Sequence, residues 1–197
     1  MSSSRVIWWP TRPWIRTIGI FTIIVGLLVS GGYWFFYPQG SIVDYNASRD
    51  EAFIRKTIQE EWFWLIADNF NFSTDEMLAT MSPPFPGAKH KGKLIIKVLL
   101  DNGKPQGFTS YFMDKFYQGR FQFLAVTSSA RRKGYGKQLF TYAIQDMFNR
   151  GAEQIVLMTR LINPARTLYE AAGFVPTEQN DPYINYKVTR ATFKPLA

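Results

Sequence analysis

Six consecutive residues, Arg131-Arg132-Lys133-Gly134-Tyr135-Gly136, combine three cations with two glycines, and Lys137 follows directly. Glycine lets a backbone approach a ligand closely because no Cβ intervenes. Cations, and the amides at the start of a helix, both favour negative charge. The chemistry this stretch suits is the holding of a phosphate or diphosphate. Its spelling excludes two common phosphate loops. No lysine followed by Ser or Thr comes after a second glycine, so it is not a nucleoside-triphosphate loop. There is no G-x-G-x-x-G, and about twenty positions on stand apolar Ile155 and Val156 rather than an acid.

The elements around it must form a strand, a turn and a helix. Phe121 to Val126 is a short apolar run suited to one buried strand, and Leu139, Phe140, Ala143, Ile144, Met147 and Phe148 recur at helical spacing. Upstream, Ile42 to Tyr45 reads as a first strand. Ser48 and Glu51 have capping-box spacing ahead of a helix over about 49–67, carried by Phe53, Ile54, Ile58, Trp62 and Leu65. A second short helix is expected over about 74–81 behind Ser73 or Thr74. Lys93 to Leu100 and Gln106 to Met113 read as strands joined by the turn Asp101-Asn102-Gly103-Lys104. Downstream come a strand at Gln154 to Thr159, a short helix over about 164–172 ending at Gly173, and a last strand at Tyr183 to Thr189. The expected order is βααβββαβαβ, an α+β layer with helices on both faces.

A second motif, Ala165-x-x-Leu168-Tyr169-x-x-x-Gly173-Phe174, lies about thirty residues beyond Arg131-x-x-Gly134-x-Gly136. In this order, behind a strand ending in Leu124-Ala125-Val126, the two motifs resemble the GNAT superfamily of acyl-CoA-dependent N-acyltransferases. The resemblance extends over residues 41 to 190. It implies a GNAT-like mixed, largely antiparallel central sheet and a wedge between the strand before the turn and the strand after the central helix. It also implies that Leu124, Ala125 and Val126 pair with the pantetheine arm of acetyl-CoA, and that Arg131, Arg132, Lys133, Gly134, Tyr135, Gly136 and Lys137 receive its diphosphate. Tyr169 falls at the position of the phenol that protonates the departing thiolate; packing in the core is the other role open to it. The sequence departs from the family pattern twice. Where an asparagine is frequent, seven residues before the tyrosine, stands Ile162; Asn163 is the nearest residue for that role near the cofactor, or else caps the short helix ahead of Pro164. Where many members carry a glutamate base stands Gln122, leaving Asp114, Glu60, Glu61 or a water chain for that task.

At 197 residues one domain is expected, with room for a full core. With no cysteine there is neither a disulfide nor a thiolate nucleophile, and the single histidine, His90, excludes a His-rich metal cluster. The formal charge of +8 raises the question of nucleic acid. Apart from the turn and a second cluster over 89–97, however, the basic residues are scattered, so no nucleic-acid partner is expected. The second cluster reads as a solvated turn and strand face.

Composition is uneven along the chain. Residues 1–16 are a basic, aromatic tail, and Thr17 to Tyr37 holds no charged residue. That run is long enough to cross a hydrocarbon core, and Trp8, Trp9 and Trp14 before it, with Tyr33, Trp34 and Tyr37 at its end, match an interfacial belt. The expectation is a tail at 1–16, a single transmembrane helix at 17–37 and a GNAT-like domain over 41–197; a cleaved signal is opposed by the bulky residues 33–37. Flanking charges nearly balance, and a need for cytosolic acetyl-CoA puts the domain on the cytoplasmic side. The function so implied is a membrane-anchored N-acetyltransferase acting on a primary amine. The alternative is a non-catalytic acyl-CoA-binding or scaffolding domain.

Overall fold

The computed structural model describes residues 40–66, 94–114 and 116–196. All of them lie in the unit Gln39–Ala197. The expected tail, membrane segment and helix at 74–81 lie outside the described residues. Among the described residues, no helix is long and apolar enough to cross a membrane.

Seven strands form one sheet in the order β1-β2-β3-β4-β5-β7-β6. They are β1 (Ser41–Asp44), β2 (Ile95–Asp101), β3 (Lys104–Met113), β4 (Gln118–Val126), β5 (Gln154–Arg160), β6 (Val175–Asn180) and β7 (Tyr183–Thr189). Only β4 and β5 run parallel; every other pair is antiparallel. The helices are α1 (Ala47–Glu60), α2 (Trp62–Leu65), α3 (Tyr135–Asn149) and α4 (Arg166–Ala171). Asn102 and Gly103, both at positive φ, make the β2–β3 turn where the sequence put it.

The two sheet faces carry separate cores. Ile54 and Ile58 of α1 pack on Val98, Phe108, Phe112, Phe123 and Ala125. On the other face Phe140, Ala143, Ile144 and Met147 of α3 join Tyr111, Phe121, Ile155 and Tyr169. Phe121 and Phe123 are two apart in β4 and would ordinarily share a face. They do not, because β4 contains a bulge: Ser110 pairs with Phe123 and Tyr111 with Phe121, which leaves Gln122 as the extra residue. One inserted residue thus lets a single strand serve both cores.

The structure corrects the sequence reading at four points. The cap of α1 is Asn46 rather than Ser48: its Oδ1 accepts from the Arg49 amide, while the Asn46 amide donates to Asp50 Oδ2 at 2.8 Å. Ser48 only donates to Asn46 Oδ1. The helix expected over 49–67 breaks at Glu61, whose amide still donates to Thr57 O before α2 begins. Strand β6 was not foreseen, since it is exposed throughout and shows no alternation. Lys97, expected on a solvated face, is buried against Asp44 at 2.7 Å.

Candidate active site

β4 is paired to β3 from Gly119 to Val126, but to β5 only through Gln118, Gly119 and Arg120. Beyond Arg120 and Val156 the two parallel strands separate. The bulge at Gln122 lies just past the last pair, and a bulge bends and twists its strand. It therefore accounts for the wedge. A cavity of about 310 Å³ fills the opening. Phe121, Gln122, Leu124, Ala125 and Val126 line it from β4, and Leu157, Met158 and Thr159 from β5. An edge freed in this way leaves backbone amides and carbonyls able to pair with an extended, peptide-like chain.

The basic turn closes one side. A short 3-10 turn, Ser128–Ala130, leads from β4 into it. Arg132 (φ 64) and Gly134 (φ 82) are left-handed, and Gly134 is the residue at which α3 begins. The first amides of α3 have no intrahelical acceptor and so remain available for an anion. Gly136 differs from Gly134: its φ is ordinary, and a Cβ added there would meet nothing nearer than Val126 Cγ2 at 3.7 Å. The fold does not require glycine at 136. Yet Gly136 is in the cavity wall, where a bare backbone admits a close ligand.

Of the turn residues named from sequence, Arg131 and Gly136 line the cavity together with Leu124, Ala125, Val126, Asn163 and Tyr169. Arg132, Lys133 and Lys137 are exposed beside it. Tyr135 contributes backbone only, because its side chain is buried and its hydroxyl donates to Asp101 Oδ2 at 2.7 Å. Burial, then that hydrogen bond, pushes the Tyr135 phenol up to about 12. The bond pins the β2–β3 turn to the start of α3.

Tyr169, on α4, is 6% exposed and belongs both to the core and to the cavity wall. Its ring packs on Phe140, 5.3 Å between centroids, and also on Phe174 and Tyr186. Its hydroxyl makes no hydrogen bond among the described residues, and the residue is in the cavity wall. Burial first, and Tyr186 second, raise its pKa well above the usual phenol range. Asn163 is engaged in its own turn: Nδ2 donates to Thr159 Oγ1 at 2.8 Å and Oδ1 accepts from the Ala165 amide at 2.9 Å. Ile162 is 69% exposed and takes no part in the cavity.

The residues weighed as bases separate clearly. Asp114 Oδ1 accepts from the amides of Phe116 and Gln118, and its Oδ2 pairs with Arg120, so it holds the β3–β4 turn. Glu60 is exposed on α1 near Lys56. Glu61 lines the cavity and pairs with Arg131 across its mouth. Gln122 turns a buried Oε1 into the structure with no hydrogen-bond partner. Sequence reasoning missed Leu65 and the three β5 residues of the wall, and above all Arg160. This buried arginine donates to Phe63 O at 2.6 Å and Ile66 O at 3.2 Å, with the Phe63 ring 4.1 Å away. It fastens α2 to the end of β5. Only its position at the end of a predicted strand hinted at this.

The model of the Acetyltransferase (GNAT) family matches residues 52–174. The chain belongs to the GNAT acetyltransferase family. No curated protein matches its sequence. Among solved structures, this acetyltransferase is similar to the ribosomal-protein-S18-alanine N-acetyltransferase of Escherichia coli, with 20% identity, TM-score 0.57, and coverage of 76% of this chain and 93% of that one. It is similar to the PaiA N-acetyltransferase of Thermoplasma acidophilum in complex with coenzyme A, at 14% identity, TM-score 0.58, covering 76% and 98%. The ribosomal-protein-alanine N-acetyltransferase of Brucella melitensis gives 14% identity and TM-score 0.60, covering 76% and 99%. At such identities these likenesses establish the shared fold, and the family match adds the acetyltransferase assignment.

Proposed function

We propose that this GNAT acetyltransferase moves an acetyl group from acetyl-CoA to a primary amine while anchored in a membrane through residues 17–37. One observation carries the transfer: the free edge of β4, the glycine turn and a protonated Tyr169 all line one cavity. The residues present fit an acyl-CoA. The edge at Leu124, Ala125 and Val126 would hold the pantetheine amides. The amides and cations from Arg132 to Lys137 would hold the diphosphate, with no Cβ on Gly136 to obstruct its approach at the cavity wall. Asn163 would keep the β5–α4 turn in shape beside it. Acetyl-CoA supplies the thioester carbonyl that the amine attacks. Tyr169 then has one task, to give its proton to the departing sulfur.

The test is calorimetry with acetyl-CoA, followed by thiol release on polyamines, aminoglycosides, amino acids and peptide N-termini. Binding with turnover supports the transferase. Tight binding with silence across the panel turns the reading towards a non-catalytic acyl-CoA-binding domain, which Gln122 in place of a carboxylate would suit. The anchor rests on the uncharged run 17–37. The catalytic domain then faces the cytoplasm, where acetyl-CoA is found. Protease treatment of sealed vesicles should cleave the domain of inside-out preparations only; the opposite result overturns this topology.

A further inference from the structure

An alkylamine is an ammonium ion at neutral pH and cannot attack a carbonyl until it loses a proton. A side chain that receives this cation inside the cavity would serve that step. Gln122 cannot accept the proton, Asp114 is committed to its turn, and Glu60 stands outside. Among the described residues lining the cavity, Glu61 is the only carboxylate and Arg131 the only cation. The two are paired, although they lie on different walls, Glu61 at the break between α1 and α2 and Arg131 at the basic turn. Trp64 and Leu65, one turn further along, offer an aromatic and apolar surface beside the acid.

We propose that Glu61 is the catalytic residue that receives the acceptor's ammonium and removes its proton. Arg131 is its placeholder: a diphosphate at the basic turn offers that guanidinium a stronger anion and leaves the carboxylate for the amine. This rests on the transferase reading above. In the step, the ammonium gives one proton to Glu61, which passes it to solvent. The nitrogen lone pair forms the new N–C bond, the C–S bond breaks with its electrons going to sulfur, and Tyr169 protonates that sulfur. The second nitrogen proton returns to the Tyr169 oxygen. One ammonium ion and one thioester become one amide, one thiol and one released proton.

The experiment compares Glu61→Gln with the wild type on two nucleophiles. One is the best alkylamine of the panel, charged at neutral pH; the other is hydroxylamine, already neutral there. General-base assistance is worth about 10²- to 10⁴-fold. Glu61→Gln should lower kcat/KM for the alkylamine by about 100-fold or more and for hydroxylamine by less than about 5-fold. Calorimetric affinity for acetyl-CoA should stay the same or tighten, because Arg131 is freed, and this also shows that the variant folds. Glu61→Asp should recover part of the alkylamine rate. Equal losses on both nucleophiles, or lost acetyl-CoA binding, would make Glu61 a structural partner of Arg131 and overturn the proposal. No turnover by the wild type sinks the transferase reading and the proposal together; turnover with an indifferent Glu61→Gln sinks the proposal alone.

Discussion

The two walls of the cavity are built on different plans. The wall proposed for the donor is one unbroken run of chain: β4, the basic turn and α3, residues 118 to 149. The wall proposed for the acceptor is assembled from α2 and the end of β5, whose contact through Arg160 joins residues 97 positions apart. A contiguous wall draws its shape from local rules, a bulge, left-handed residues and a helix start. A composite wall needs a fastener, and here that is a buried guanidinium holding two carbonyls.

Substitutions that damage one wall and spare the other test this division. Arg160→Ala should cost most, about 3 kcal/mol in urea unfolding, since carbonyls at 63 and 66 lose a charged donor. Acetyl-CoA should still bind the folded variant, and loss of that binding would show the walls to be one unit. Gly136→Val should do the reverse. Acetyl-CoA affinity should fall by about 100-fold or more, about 2.7 kcal/mol, while the melting temperature hardly moves, because the added Cβ meets only Val126 Cγ2, at an ordinary contact distance of 3.7 Å. Wild-type binding by Gly136→Val would remove the diphosphate from this turn. Tyr169→Phe keeps the ring packing and deletes the proton donor, so kcat should drop about 10- to 100-fold with acetyl-CoA affinity retained. An unchanged rate would return Tyr169 to the core alone.

Tyr135→Phe is the smallest change. Losing its bond to Asp101 should cost about 1 kcal/mol by thermal melting, without effect on acetyl-CoA binding. It also has a signature in pH. The folded-state pKa of Tyr135 is raised, so its contribution to stability is complete below about 10, the ordinary phenol value, and is lost as pH climbs towards 12. The wild type should therefore lose more stability than Tyr135→Phe over that alkaline window. Parallel curves would put the alkaline loss elsewhere.

The same contrast explains what the sequence disclosed. The donor wall was legible because its information is consecutive: an apolar strand, Arg-x-x-Gly-x-Gly, then helical spacing. So was Tyr169, through a second short motif. Gln122 was noticed as a departure in residue type, but not as a bulge, because a one-residue insertion shows only against the partner strand's register. Asn46 was overlooked as a cap because Ser48 and Glu51 have the more familiar spacing, and local hydrogen bonding decided between them. β6 lacks alternation because neither of its faces meets a core, so Val175-Pro176-Thr177 leaves no periodic trace. Arg160 looked like any basic residue at a strand end. Two of its partners are main-chain carbonyls, which carry no side-chain identity to read.

The three-pair seam between β4 and β5 also bears on how the molecule breathes. On either side of it the strands are joined by antiparallel ladders, β1 to β4 in one block and β5, β7 and β6 in the other. The sheet is thus two plates hinged along a short line, with α3 and the aromatic cluster around Phe140 acting as the brace on one face. Opening the wedge further breaks few hydrogen bonds, whereas opening a ladder breaks many. In hydrogen exchange, those amides of residues 119–120 and 154–156 that bond across the seam should lose protection before those of β2 and β3, by a local opening that leaves both plates intact. A ligand bridging the plates should slow exchange along the seam more than anywhere else.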